Sequence, residues 1–103
     1  MKILLSCSGG MSSSLIADGL QKEGQKRQEK ITVQAVGTEE VADLLGNDQF
    51  DIVLLAPQSV YRKDYIQEQA QDHDTPFLMI PRTMYNPVAV PKLLDLVQQE
   101  LNK

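Results

Sequence analysis

The residues with the clearest chemical potential are a cysteine and the loop that follows it. Cys7 is the only cysteine of the chain and follows a short apolar run at 3–5. Backbone N–H groups of a Gly/Ser loop can converge on a phosphate, and the positive end of a following helix adds to the attraction. The same field favours the thiolate form of Cys7, which is the nucleophilic form. The loop residues expected to surround the phosphate are Ser8, Gly9, Gly10, Met11, Ser12, Ser13 and Ser14.

A more ordinary interpretation of Cys7 is that of a small apolar residue at the end of a strand. The loop composition argues against it, since Gly9 and Gly10 permit close approach of the backbone to a ligand and the serines add hydroxyl donors. The whole stretch therefore predicts a phosphate site that contains a nucleophile.

Composition limits the partners of the chain. It has 103 residues, 42% hydrophobic and 23% charged, which are ordinary values for a soluble globular protein. A net charge of -4 without a clustered Lys/Arg face argues against nucleic acid or an anionic membrane surface. A single cysteine suits a reducing compartment, no run approaches the ~20 apolar residues that span a bilayer, and the apolar run at 3–5 is too short for the core of a signal peptide. We expect one domain over 1–103 that is cytoplasmic and does not insert into the membrane.

Four apolar runs predict four strands, at 3–6, 31–36, 51–56 and 77–80. The second run alternates between apolar and polar residues, which is typical of a sheet edge, whereas the third is continuously apolar, which indicates a strand buried on both faces. Helical patterns separate the runs, so the crossovers make the sheet parallel. The expected fold is an α/β three-layer sandwich with strand order 2-1-3-4 and helices on both faces.

The helices are expected at about 13–28, at 39–45, after the break at 57–58, and after Asn86-Pro87, where Asn86 is the expected N-cap. Thr38 is a plausible N-cap for the second helix. The buried faces are assigned from spacing, with Leu15, Ile16 and Leu20 on the first helix and Tyr61, Tyr65, Ile66 and Ala70 on the third.

Strand order 2-1-3-4 has a topological switch point between strands 1 and 3. Ligands of parallel sheets bind outside the carboxyl ends of the strands at such a point. Cys7 and the turn at Pro57 and Gln58 both fall there. The fold and the loop chemistry therefore indicate the same location.

The sequence resembles the enzyme IIB component of the lactose/cellobiose (diacetylchitobiose) branch of the bacterial sugar phosphotransferase system. The resemblance rests on Cys-Ser-Gly-Gly-Met-Ser-Ser-Ser after a short strand, Leu-Ala-Pro-Gln at 55–58, and Met84-Tyr85 before the last helix. It implies that Cys7 accepts a phosphoryl group from a phosphohistidine of the IIA protein and gives it to a sugar on the membrane-embedded IIC protein. It also implies transient contact with the inner face of the membrane through IIC, and no cofactor besides the phosphocysteine.

Two further points are expectations. The rim of the site, which is expected to contact IIA or IIC, is expected to consist of Met11, Pro57, Gln58 and Tyr85. No metal site is expected, because the sole histidine, His73, has no second ligand at suitable spacing and is expected in a solvated loop.

Three other classes of protein share this fold or this cysteine. A low-molecular-weight tyrosine phosphatase has a similar layout with Cys-x5-Arg, but position 13 here is serine and no Asp-Pro acid loop occurs. Arsenate reductases of this fold need further cysteines. A non-catalytic regulatory module that keeps the fold and the cysteine stays open as an alternative.

Overall fold

Four short strands follow the four apolar runs of the sequence. The computed structural model describes residues 1–8 and 12–103. The strands are β1 (Lys2–Cys7), β2 (Thr32–Gly37), β3 (Ile52–Leu55) and β4 (Phe77–Met79). All three strand pairs of this sheet are parallel, and the order is β2-β1-β3-β4, as predicted.

Four α-helices alternate with the strands. They are α1 (Ser12–Lys26), α2 (Val41–Asn47), α3 (Lys63–Asp72) and α4 (Val90–Leu101). Single 3₁₀ segments lie at Thr38–Glu40, Pro57–Arg62, Arg82–Met84 and Pro87–Ala89. The element order is the predicted alternation of strand and helix, with the 3₁₀ segments added before α2, α3 and α4.

The two faces of the sheet carry separate apolar cores, because alternate side chains of a strand point to opposite faces. Ile3 and Leu5 of β1 pack with residues of α1 and α4, whereas Leu4 packs with residues of α2 and α3. All four residues of β3 are fully buried, as the continuous apolar run predicted. These packing partners make the three layers of the expected sandwich.

The predicted buried face of the third helix was wrong at its two tyrosines. Tyr61 is 71% exposed and Tyr65 is 36% exposed. Spacing arguments assume one regular helix after Pro57, but the chain forms a 3₁₀ segment that is interrupted at Ser59, where φ is −103° and ψ is 25°. Tyr61 therefore precedes α3 and is out of phase with Ile66, which is buried.

Two further side chains differ from the prediction. Leu15 is 63% exposed, because the buried side of α1 is formed by Ile16 and its neighbours at Ala17 and Leu20. Thr38 is not an N-cap: it is buried, and the N-cap of the segment that it begins is Gly37, whose N–H donates to Glu40 Oε2 at 3.2 Å. The expected Asn86 cap is present, with the Ala89 N–H donating to Asn86 Oδ1 at 2.9 Å, although α4 begins only at Val90.

Candidate functional site

Cys7 is the last residue of β1 and lies at the carboxyl edge of the sheet. Its side chain is 3% exposed, and its backbone is in register with Gly37 at the end of β2. Strand alternation places it on the same face as Ile3 and Leu5, the face covered by α1 and α4. The 15-residue helix α1 begins at Ser12, five residues after the cysteine in sequence.

The first loop residue, Ser8, is attached to the segment that follows β3. Ser8 N donates to Ser59 Oγ at 2.8 Å, and the two hydroxyl oxygens lie 2.9 Å apart. Ser59 itself is fully buried. The chain is thus fixed at the residue immediately after Cys7.

The Pro57–Gln58 turn lies beside the end of β1, as expected from the strand order. The Ala56 N–H donates to Ser6 O at 2.9 Å and so extends the β1–β3 pairing by one residue. Pro57 then begins the 3₁₀ segment and is buried, whereas Gln58 is exposed. The structure therefore brings this turn next to residues 6–8.

The other predicted site residues that the structure describes lie at the start of α1 and before α4. Ser13 is buried and Ser14 is exposed in the first turn of α1, and Ser12 begins that helix. Tyr85 is partly buried and packs against the core between the sheet and the α1/α4 layer, the face on which Cys7 lies. Gly9, Gly10 and Met11 lie outside the described residues.

Sequence reasoning missed Ser59, which contacts the loop directly. A serine after Pro-Gln suggests a solvated turn, and its sequence position gave no sign of burial. The interruption of helical periodicity between the turn at 57–58 and the buried Ile66 could have drawn attention to it. The pairing of Arg62 with Thr38 was also missed: Arg62 Nε donates to Thr38 Oγ1 at 3.3 Å.

Within 1–8 and 12–103, no group of three or more His, Cys, Asp or Glu side chains is placed to hold a metal ion. His73 is exposed directly after α3, with Nδ1 3.0 Å from Gln69 O. None of the described helices has both the length and the apolar character needed to cross a bilayer.

Comparison with known proteins assigns the chain to a family. The family model of the lactose/cellobiose-specific IIB subunit of the phosphotransferase system (PTS) matches residues 2–92. The oligo-beta-mannoside-specific EIIB component of Bacillus subtilis is 31% identical over 84 residues, which cover 82% of this chain and 80% of that protein. The galactose-specific EIIB component of Lactococcus lactis subsp. cremoris is 26% identical over 103 residues, covering 97% and 95% of the two chains.

Solved structures agree with this assignment. The cellobiose-specific IIB protein of Borrelia burgdorferi has a TM-score of 0.76 at 29% identity and covers 99% of this chain and 92% of its own. The lactose-specific IIB domain of Streptococcus pneumoniae has a TM-score of 0.84 at 18% identity, covering 97% and 96%, and so supports the fold. PTS IIB components act as phosphotransferases in sugar transport, work through a covalent phosphoryl intermediate without a metal cofactor, and have IIA and IIC partners. Because the family model spans residues 2–92, this chain belongs to the lactose/cellobiose-specific IIB subunits of the PTS and is a phosphotransfer subunit of that system.

Proposed function

We propose that Cys7 is the phosphoryl carrier of this subunit. It accepts the phosphoryl group from a phosphohistidine of the IIA protein and passes it to a sugar on the membrane-embedded IIC protein, a disaccharide such as cellobiose, lactose or chitobiose. The observation that carries this proposal is the position of Cys7 at the end of β1, immediately before a Gly/Ser loop and the N-terminus of α1. The chain would act in the cytoplasm and meet the membrane through IIC.

The chemistry consists of two displacements at phosphorus. In the first, the Cys7 thiolate attacks in line, an S–P bond forms, and the N–P bond breaks with its electron pair left on the imidazole. In the second, a sugar hydroxyl attacks, the S–P bond breaks, and the hydroxyl proton is released to a base or solvent. Such transfers are accelerated mainly by positioning and by charge stabilisation on the equatorial oxygens.

The proposed phosphate-binding segment is Ser8 through Ser14. Its donors would be backbone N–H groups, serine hydroxyl groups and the positive end of α1, a helix long enough for a substantial end effect. Position 13 is a serine rather than the arginine of a phosphatase loop. Without a bidentate guanidinium grip, hydrolysis is less strongly favoured, and the phosphocysteine can persist until an acceptor arrives.

The surface around this edge supports docking of a protein partner. Three large apolar side chains are exposed shortly after Ser59, the residue that contacts Ser8, namely Val60, Tyr61 and Tyr65. Exposed apolar groups concentrated near one site are typical of interaction surfaces. We propose that phosphorylated IIA and then IIC dock here, with Met11, Pro57, Gln58 and Tyr85 at the rim of the site.

Intact mass spectrometry tests the carrier assignment. The protein is incubated with phosphoenolpyruvate, the general phosphotransferase proteins and a cellobiose-type IIA, with Cys7→Ser as the matched variant. We expect the wild type to gain one phosphoryl group, and Cys7→Ser to gain none while keeping its circular dichroism spectrum. Phosphorylation of folded Cys7→Ser would assign the acceptor elsewhere. No gain by the wild type, together with turnover of an aryl phosphate, would favour a phosphatase; neither signal would favour a regulatory module.

A further inference from the structure

We propose that Ser59 is a positioning residue for phosphoryl transfer, which acts by holding Ser8 at the start of the Cys7 loop. This inference rests on the proposed carrier function of Cys7. Ser59 does not belong to the loop but comes from the segment after β3, 51 residues further along the chain than Ser8. Ser59 is fully buried, and its hydroxyl group contacts two polar groups of Ser8, the backbone N–H and the side-chain oxygen.

The hydrogen-bonding capacity of a hydroxyl group explains how Ser59 can set the orientation of Ser8. A serine hydroxyl has one proton to donate and two lone pairs that accept. One lone pair of Ser59 Oγ accepts the Ser8 N–H at 2.8 Å, and its own proton can be donated to Ser8 Oγ at 2.9 Å. In that arrangement the Ser8 hydroxyl proton stays available for a phosphoryl oxygen on Cys7. Hydrogen bonds in a chain of hydroxyl groups that ends on an anion polarise and so strengthen one another.

The backbone at Ser59 is shaped for this contact. Ser59 interrupts the 3₁₀ segment Pro57–Arg62 with non-helical φ and ψ, and its N–H donates to Ala56 O at 3.0 Å. The same region is joined to β1 through the Ala56 N–H and Ser6 O. Ser59 is therefore held by β3 and its turn, and it transmits that fixed position to the residue after the nucleophile.

Ser6 offers a matched control, because it is a second fully buried serine on the other side of Cys7. Its hydroxyl group donates to Leu54 O at 2.8 Å. Replacing either serine by alanine removes one buried hydroxyl group at this edge of the sheet. Only the replacement of Ser59 removes the hydrogen bonds to Ser8. A merely structural role predicts similar effects for the two variants.

The test is single-turnover transfer from phosphorylated IIA, followed by rapid quench and intact mass at several IIA concentrations. We expect Ser59→Ala to lower the maximal transfer rate by about tenfold, the scale of a small misplacement of reacting groups, with an unchanged half-saturating IIA concentration. Ser6→Ala keeps the wild-type rate, and Ser59→Thr, which retains a hydroxyl group, recovers most of the rate. The proposal would be overturned if the maximal rate of Ser59→Ala were no lower than that of Ser6→Ala. It would also be overturned if Ser59→Ala changed only the half-saturating IIA concentration.

Amide hydrogen exchange in the wild-type protein provides a readout that does not depend on the folding of a variant. The Ser8 N–H should exchange more slowly than its unprotected rate, because it is bonded to a buried acceptor. Unprotected exchange at Ser8 in the folded protein would overturn the proposal. If the wild type accepts no phosphoryl group, the proposed carrier function of Cys7 is wrong. If Ser59→Ala transfers the phosphoryl group at the normal rate, only the proposed role of Ser59 is wrong.

Discussion

Arg62 donates from its Nε to the Oγ1 of Thr38 at 3.3 Å, which joins the segment after β3 to the residue after β2. Thr38 is buried, and the residue before it, Gly37, is in register with Cys7. The guanidinium group of Arg62 also lies 4.6 Å from the ring centroid of Tyr65. Turns from both sides of β1 are thus connected at the edge of the sheet where the cysteine lies.

Replacing Arg62 by methionine is expected to lower the free energy of unfolding by about 1 kcal/mol, because it removes a hydrogen bond to a buried hydroxyl group and a cation–π contact. Urea denaturation measures the loss. Lys63→Met is the control, since Lys63 is an exposed neighbour and should change stability by less than about 0.5 kcal/mol. Equal losses in the two variants would show that the Thr38 contact contributes nothing.

Tyr61→Ala is expected to weaken the interaction with phosphorylated IIA without affecting the fold. The ring is 71% exposed, so the truncation removes little buried contact within the chain. Aromatic residues at protein interfaces often contribute more than about 1 kcal/mol, which corresponds to a several-fold rise in the half-saturating IIA concentration. Transfer kinetics measure it, with Gln71→Ala, an exposed residue near the end of α3, as control. An unchanged half-saturating concentration in Tyr61→Ala would place IIA elsewhere.

Two glycines within helices should respond oppositely to alanine. A Cβ on Gly24 would lie 2.9 Å from Ile31 Cδ1, so the crowding is expected to lower the free energy of unfolding by about 1 kcal/mol in spite of the better helix propensity of alanine. A Cβ on Gly46 in α2 would find its nearest neighbour at 4.0 Å, His73 Nε2, and Gly46→Ala should raise stability by about 0.5 kcal/mol. Thermal and urea denaturation of both variants distinguish crowding from propensity; stabilisation by Gly24→Ala would contradict the close packing against Ile31.

The ion pair between Lys2 and Asp48 predicts a pH effect far from the cysteine. The hydrogen bond from the Lys2 ammonium group, with a further bond from the Gln49 N–H, lowers the pKa of Asp48 below its ordinary value of 3.8. A lowered pKa in the folded state means that the charged carboxylate stabilises the fold above the unfolded-state pKa. This contribution is lost as the pH falls through the folded-state pKa.

NMR titration of the Asp48 carboxyl carbon checks this prediction. Lys2→Met should raise the pKa of Asp48 toward 3.8, although the Gln49 bond keeps part of the shift. The stability difference between the wild type and Lys2→Met that arises from this pair should shrink as the pH falls from about 4 through the lowered folded-state pKa, below which both states bind the proton. An identical pKa in the two proteins would show that Lys2 does not act on Asp48.

The strand order could be predicted because two strands differ plainly in pattern. The alternation of β2 marked an edge, and the continuous apolar run of β3 marked the centre, so the position of Cys7 at the switch point followed from the sequence. Each of these two patterns extends over a whole strand, so a single unusual residue does not change the predicted position of the strand in the sheet.

The exposure of Tyr61 and the burial of Ser59 could not be predicted from the same kind of pattern. Both depend on the 3₁₀ geometry after Pro57 and its interruption at Ser59, which depart from the regular helix that the spacing argument assumes. The predicted burial of Leu15 was wrong for a different reason. An apolar residue next to the buried face of a helix fits the apolar spacing approximately, although its own side chain points to solvent. Hydrogen bonds between residues far apart in sequence, such as Ser59 to Ser8 and Arg62 to Thr38, leave no periodic signal at all.

The all-parallel pairing of the sheet also determines when the surroundings of Cys7 arise during folding. Parallel neighbours cannot be joined by a tight hairpin, so each pairing waits for a complete crossover. Pairings between distant parts of a chain form slowly, because the loop entropy must be overcome before the contact stabilises anything. Ser8 becomes anchored only when the segment that carries Ser59 has joined β1. Cys7 precedes both of the strands that pair with β1, so its ordered environment is a late product of folding, reached together with the sheet as a whole.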